Sequence, residues 1–313
     1  MKILIMGTGG VGGYYGGLLA QQGNEVTFIS RGAHLYAIRH EGLKVKSIHG
    51  DFTVFPANAT EDPAKVEPVD LVLFCVKTYN TDEAAQAIRP VIGPQTAVLS
   101  LQNGVDAAER IGQVVGMEHV IGGATWLSSA VEAPGMIKQI SEFRRIVFGE
   151  LSGDGSERIH SIFEVLNSTG ATVEISENIQ KILWTKFVFI SAVSAFGSLT
   201  RLPMGEYRSV PETRNLLSGI MQEVEALARA QGILLHADVV QKSMEFMDNA
   251  APHIKPSMQL DVESGRRTEL DSMVGVIGRK GRQLGIPTPV ADFVYNSLLP
   301  VELKARNEYA PPP

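Results

Sequence analysis

The feature that most constrains the fold lies near the start of the chain, where Gly7, Gly9 and Gly12 spell G-x-G-x-x-G directly after the apolar run 2–6 and before the helical stretch 14–22. Strand, glycine turn and helix in that order make the first half of a βαβ unit. Each glycine then has a reason: the first permits a tight turn, the second lets backbone approach a pyrophosphate, and the third lets helix and strand pack closely. Phosphate oxygens meet the N–H groups left unpaired at the helix N-terminus. A bare match would carry little, because glycine turns often only turn. Its place between strand and helix selects a dinucleotide site, with Gly7, Thr8, Gly9, Gly10, Val11 and Gly12 as cofactor contacts.

Further short apolar runs at 25–29, 71–76, 97–101 and 145–148, several of them separated by helix-length segments, extend this start into a doubly wound, mostly parallel sheet. The stretches 43–46 and 52–55 flank His49, Gly50 and Asp51 as a hairpin-like insertion, and 136–140 and 172–175 read as late strands. After about Ser176 the period changes. Leu217, Ile220, Met221, Val224, Leu227 and Ala228 mark one face of a helix that Gly232 can end, and Leu270, Met273, Val274, Ile277 and Leu284 repeat the pattern. The expected architecture is α/β: a Rossmann-type nucleotide-binding domain over 1–176 and an all-helical domain over 177–313, with fraying at 311–313.

Composition agrees with two globular domains, since 313 residues exceed what one hydrophobic core usually serves and 44% are hydrophobic against 20% charged. A net charge of −6 without a basic run argues against a nucleic-acid partner. No stretch reads as a membrane span and the run 3–6 is too short for a signal sequence, so a cytoplasmic protein is expected. The single cysteine, Cys75, sits in an apolar run and reads as a structural thiol, and the 7 histidines lack ligand spacing, so no metal is expected.

The strand at 25–29 ends in Ser30 and Arg31, where an NAD site usually presents an acid to the ribose hydroxyls. A carboxylate there repels a 2′-phosphate, whereas an arginine binds it, so NADP(H) is the expected cofactor; the alternative is an exposed arginine at a strand end. Lys77 and Asn103, with Gly104, follow strands at the ends where ligands of such sheets collect, as ligand contacts or as solvated loop residues.

The segment 179–196, IQKILWTKFVFISAVSAF, is apolar nearly all round beyond Trp184 except at Thr185, Lys186, Ser191 and Ser194. A lysine on such a helix needs a reason, because burial penalises its ammonium and lowers its pKa. A poised ammonium suits carbonyl reduction: it stabilises the alkoxide left by hydride transfer and supplies the proton. A lysine that snorkels to solvent or pairs with a carboxylate is the alternative. Glu269, close to Arg266 and Arg267 and just before an apolar-faced helix, reads by itself as a first-turn helix stabiliser or a surface ion-pair partner.

Taken together, these segments resemble the ketopantoate reductases, 2-dehydropantoate 2-reductases of pantothenate and coenzyme A biosynthesis. The resemblance spans nearly the whole chain: GTGGVGG at 7–13, Arg31, VKT at 76–78, LQNGV at 101–105, NIQKILWTKF at 178–187 and SMQLDVESGRRTELD at 257–271. It implies NADPH reducing 2-dehydropantoate to pantoate in a cleft between a Rossmann domain and a helical domain. It also implies Lys186 as proton donor, Glu269 as the acid near cofactor and substrate hydroxyl, Ser257 as a substrate contact, Lys77 on the cofactor side, and Asn103 facing both ligands.

The chain departs from that family where the substrate is expected. Ile190 and Ser194 stand one and two turns beyond the lysine where better-known members carry Asn, and Met204 aligns approximately with a further pocket Asn. Ser191 and Ser194 are the hydroxyls left to contact substrate. Val274 replaces the Asn of an Asn-Gly pair. Two other readings are therefore open: the same chemistry on a different 2-oxo or hydroxy acid, and a non-catalytic NADPH-binding redox sensor, which would have no need of a buried lysine. A helical second domain suits pairing as a homodimer.

Overall fold

The computed structural model describes residues 1–309, and the fraying expected at 311–313 lies outside them. The chain packs as two compact units: Met1–Gln102 with Ala107–Ile182, and Asn103–Asp106 with the chain from Leu183 onward.

The first unit is built from strands β1 (Lys2–Met6), β2 (Glu25–Ile29), β3 (Leu43–Lys46), β4 (Phe52–Val54), β5 (Asn58–Thr60), β6 (Val69–Phe74), β7 (Ile92–Ser100), β8 (Val120–Trp126), β9 (Ser129–Ala133), β10 (Met136–Gln139), β11 (Arg145–Glu150) and β12 (Thr172–Ile175). Its helices are α1 (Gly10–Gln21), α2 (Gly32–Glu41), α3 (Thr81–Ile88), α4 (Ala107–Val115) and α5 (Glu157–Asn167). Eight strands form one sheet in the order β12-β11-β8-β7-β6-β1-β2-β5. Every neighbouring pair in it is parallel except β8 with β11.

Both faces of this sheet are covered, which is why its central strands are continuously apolar. Successive side chains alternate. Ile3 and Ile5 of β1 join the core made with α1, α2 and α5, while Leu4 and Met6 join the core made with α3 and α4.

The hairpin-like insertion at 43–55 exists, with Leu43 opposite Val54, but it is half of a second sheet of order β4-β3-β10-β9. The late strand at 136–139 therefore belongs to this smaller sheet, through parallel pairing of Met136 with Lys44. Helix α1 lies between the two sheets. Added Cβ atoms at Gly13 and Gly17 would meet Ile137 at 2.7 Å and Phe52 at 3.1 Å on one side, and one at Gly16 would meet Ile5 at 2.7 Å on the other. The glycine run that reads as a phosphate loop thus continues as a packing device.

Sequence patterning misses β5, β8 and β9. β5 is too short to show a period, and β9 is mostly exposed. In β8 the apolar run is interrupted by Gly122 and Gly123, where an added Cβ at Gly123 would lie 2.7 Å from the Ser100 carbonyl oxygen of β7.

Helices α6 (Ile179–Thr200), α7 (Met204–Tyr207), α8 (Pro211–Ala230), α9 (Val239–Asn249), α10 (Ser257–Glu263), α11 (Val276–Leu284) and α12 (Pro289–Ala305) follow, with a π-turn over Asp271–Gly275. Asn178 caps α6, its Oδ1 accepting from the Lys181 N–H at 3.0 Å. By length and composition α6 could cross a membrane, contrary to the sequence expectation; most of it is buried inside the protein, as a core helix is.

The six apolar residues expected on one face of α8 are all buried. Gly232, at φ 77°, ends the helix: its N–H donates to Arg229 and that of Ile233 to Ala228, pairing carbonyls the helix leaves open. The second apolar set fares less evenly. Leu270, Met273, Val274 and Ile277 are buried, but Leu284, the last residue of α11 before the left-handed Gly285, is 39% exposed.

Gly12 and Gly9 separate packing from openness. An added Cβ at Gly12 would stand 2.2 Å from the Gly7 carbonyl oxygen, whereas one at Gly9 meets nothing within 4 Å. Gly12→Ala should destabilise the protein by about 1–3 kcal/mol in denaturant unfolding, and Gly9→Ala should shift the midpoint by about a quarter of that or less.

Candidate active site

The glycine loop is formed by its own geometry. Gly7 has φ 99°, and an added Cβ would lie 2.9 Å from the Val76 backbone nitrogen at the end of β6. Thr8 is buried, its backbone N–H and hydroxyl both donating to the Ile29 carbonyl at 3.0 and 2.8 Å. These bonds fasten the loop to the end of β2, while the N–H groups of the first turn of α1, from Gly10, Val11 and Gly12, have no carbonyl one turn earlier to bond. Open space beside Gly9 and unpaired donors beyond it are what a pyrophosphate needs, so these residues fit a dinucleotide.

A cavity of about 350 Å³ adjoins the loop, lined by Gly7, Thr8, Ser30, Arg31, His34, Asn80 and Glu83 among others. Arg31 stands at the N-cap of α2 and is well exposed, its Nη2 donating to Glu83 Oε1 at 3.0 Å. The sequence reading did not anticipate Glu83 or His34. The His34 ring spans Thr8 and Gly135: Nδ1 accepts from the Gly135 N–H at 2.8 Å, which leaves Nε2–H to donate to the Thr8 carbonyl at 2.9 Å. Burial lowers its pKa below the ordinary value, against the opposing effect of the Thr8 bond, and keeps the ring neutral. Their partners are 52 and 101 positions away, beyond any local pattern.

Lys77 and Asn103 follow their strands as expected, Lys77 capping the short turn Thr78–Asn80 after β6. Asn103 belongs to the four-residue segment Asn103–Asp106, which packs with the helical unit. Gly104 allows that path, at φ 99° with an added Cβ 3.3 Å from the Ser272 carbonyl.

Within the helical unit, the Lys186 ammonium on α6 donates to Asn103 Oδ1 at 2.8 Å. Desolvation lowers its pKa from 10.5 to about 8, and the negative charge of buried Glu269 acts in the opposite direction. The segment carrying Glu269 is clamped on both sides by α12. Thr268 donates its N–H and hydroxyl to Glu302 at 2.9 and 2.6 Å, while Asp271 accepts from Arg306 at 2.6 Å and Tyr295 at 2.8 Å. Arg306 also donates to Glu302 at 2.6 Å, closing the network. A partly desolvated ammonium beside an amide oxygen and a fixed carboxylate can hold a proton at neutral pH and release it to a stronger base.

Two family profiles cover this chain: "Ketopantoate reductase PanE/ApbA" over residues 3–153 and "Ketopantoate reductase PanE/ApbA C terminal" over 178–302. The chain belongs to the ketopantoate reductase family. It is therefore a nicotinamide-dependent oxidoreductase. Among similar proteins, a 2-dehydropantoate 2-reductase of Mesorhizobium japonicum is 29% identical over 94% of this chain and 95% of its own. The crystal structure of a ketopantoate reductase from Ralstonia eutropha JMP134 superposes with TM-score 0.90 at 32% identity, over 98% of this chain and 100% of that one. A D-mandelate dehydrogenase solved with NADH and anilino(oxo)acetate superposes with TM-score 0.88 at 26% identity, over 98% and 99% of the two chains.

The candidate substrate residues separate sharply within this family framework. Ser257 is exposed at the first position of α10. Ser191 is fully buried, with its hydroxyl donating to the Phe187 carbonyl at 2.7 Å, and Ser194 is 2% exposed. Five residues along a helix turn a side chain about 140° from Lys186, so Ser191 points into the helical core and is no substitute for the lost amides. Met204 is likewise core, 2% exposed and part of the apolar cluster of the helical unit. Only Ile190, one turn beyond Lys186 and half-buried, keeps the lysine's face.

The lowered pKa means that folding disfavours the Lys186 ammonium. The group's cost is full below about pH 8, fades as pH rises through the interval to 10.5, and is gone above that, where the lysine is neutral in both states. Lys186→Met should therefore raise the melting temperature at pH 7, with a smaller gain at pH 10.

Proposed function

We propose that this chain reduces a 2-oxoacid with NADPH, 2-dehydropantoate being the first substrate to test, and that Lys186 is the proton donor. The observation that carries the reading is the Lys186–Asn103 hydrogen bond on a largely apolar helix, with the ammonium desolvated to a pKa of about 8. When bound, the dihydronicotinamide supplies the hydride that reaches the carbonyl carbon. Asn103 aims the ammonium, Lys186 places its proton where the carbonyl oxygen gains charge, and Glu269 opposes further loss of that proton until reaction. Arg31, with the loop from Gly7 to Gly12, would hold the phosphates, and Lys77 stands at the end of β6 for the same cofactor. The protein would serve pantothenate synthesis in the cytoplasm, a reading supported by relatives named 2-dehydropantoate 2-reductase.

A second reading concerns substrate. Ile190 presents an apolar side chain one turn beyond Lys186, and the D-mandelate dehydrogenase neighbour was solved with an aryl-substituted oxoacid. An apolar wall favours a bulkier, less hydroxylated 2-oxoacid, since a polar substrate group left unpaired there costs about 1–3 kcal/mol.

Steady-state NADPH oxidation with 2-dehydropantoate, 2-oxoisovalerate and benzoylformate separates these readings. The highest kcat/KM with 2-dehydropantoate supports the first, and a tenfold preference for benzoylformate supports the second. In either case kcat/KM should fall as pH rises through about 8, because the donor loses its proton, and Lys186→Ala should lower the rate about 100-fold or more and abolish that limb. An unchanged rate in Lys186→Ala overturns the donor role.

A further inference from the structure

Resting on the NADP reading above, we propose that Glu83 sets the cofactor selectivity of this enzyme by occupying Arg31, the group that would bind a 2′-phosphate. Among the residues lining the cavity beside the glycine loop, Arg31 is the one cation and Glu83 the one anion, since His34 is kept neutral by burial. Arg31 spends Nη2 on Glu83 Oε1 at 3.0 Å. A phosphate is held best by parallel N–H bonds from the guanidinium fork, so a 2′-phosphate must displace the carboxylate or share the fork with it. It must also sit beside the displaced negative charge. A 2′-hydroxyl carries no charge and meets neither obstacle. The pair therefore narrows the difference between NADPH and NADH that Arg31 alone would create.

The first turn of α3 provides an internal control. It holds two acids, Asp82 and Glu83, either of which would favour a helix N-terminus. Asp82 is engaged by Arg110 Nε at 2.9 Å and does not line the cavity, whereas Glu83 does. A role confined to helix stability would make the two acids equivalent toward ligand; a role in selectivity makes only Glu83 matter.

The test is calorimetric titration of the full chain with adenosine 2′,5′-bisphosphate and with 5′-AMP, which differ by the 2′-phosphate and need no turnover. Glu83→Gln should tighten the bisphosphate by about three- to tenfold, the range expected when a surface charge pair and its repulsion are removed, and leave 5′-AMP unchanged. Asp82→Asn should change neither, and the gain should vanish in Arg31→Gln/Glu83→Gln. No gain in Glu83→Gln, an equal gain in Asp82→Asn, or a gain that survives loss of Arg31 overturns the inference. Failure of the NADP reading looks different: wild type, Arg31→Gln and Glu83→Gln would all bind the two ligands alike. If wild type lacks a preference but Glu83→Gln acquires one, Glu83 is cancelling Arg31 and the inference stands.

Discussion

The constraint on which the helical unit depends is the placing of an ammonium within the largely apolar stretch of α6 beyond Trp184. Water would hold Lys186 charged to a pKa near 10.5; the protein removes much of that water and sets the Asn103 amide oxygen and the charge of Glu269 near it. Desolvation outweighs the attraction of Glu269, so the pKa falls to about 8. Several otherwise separate features serve that balance. Asn103 reaches it on a segment that Gly104 alone can bend, and Glu269 is fixed because Thr268 and Asp271 on either side are bound to α12. The network of Glu302 and Arg306 holds that segment against α12.

The nucleotide loop follows a different logic, of space rather than charge. Gly7 turns, Gly12 lets α1 approach the strand, and Gly9 keeps open the side where phosphate would come. The same helix goes on to separate two sheets, which explains a glycine content that a phosphate loop does not require. His34 ties the loop to the smaller sheet through a neutral ring.

Local chemistry was legible in the sequence and long-range partnership was not. The strands with continuous apolar runs, the α8 face with its Gly232 terminator, and Lys186 as an unusual lysine could all be read from neighbours in the chain. The second sheet could not, because β9 is exposed and β3 pairs with β10, far along the chain, without any periodic signal. Ser191 and Ser194 were read as substrate hydroxyls by comparison with the amides the family carries there, whereas helix phase turns Ser191 away from Lys186 and both are buried in the core. Leu284 keeps the period of its set but is the last residue of α11, so it is exposed where the earlier members are buried. Glu83 beside Arg31 is the clearest case: the arginine is visible where the motif expects it, but the carboxylate that competes for it comes from another helix.

The central claim is that Lys186 is a desolvated, poised acid, and the most direct measurement is its own titration. With lysine labelled at 13Cε and the resonance assigned by comparison with Lys186→Met, the chemical shift of Lys186 should turn over near pH 8 in the wild type, well apart from the other lysines. A midpoint at the ordinary value of about 10.4 would contradict the account, because a fully solvated ammonium at that position has no advantage as the proton donor.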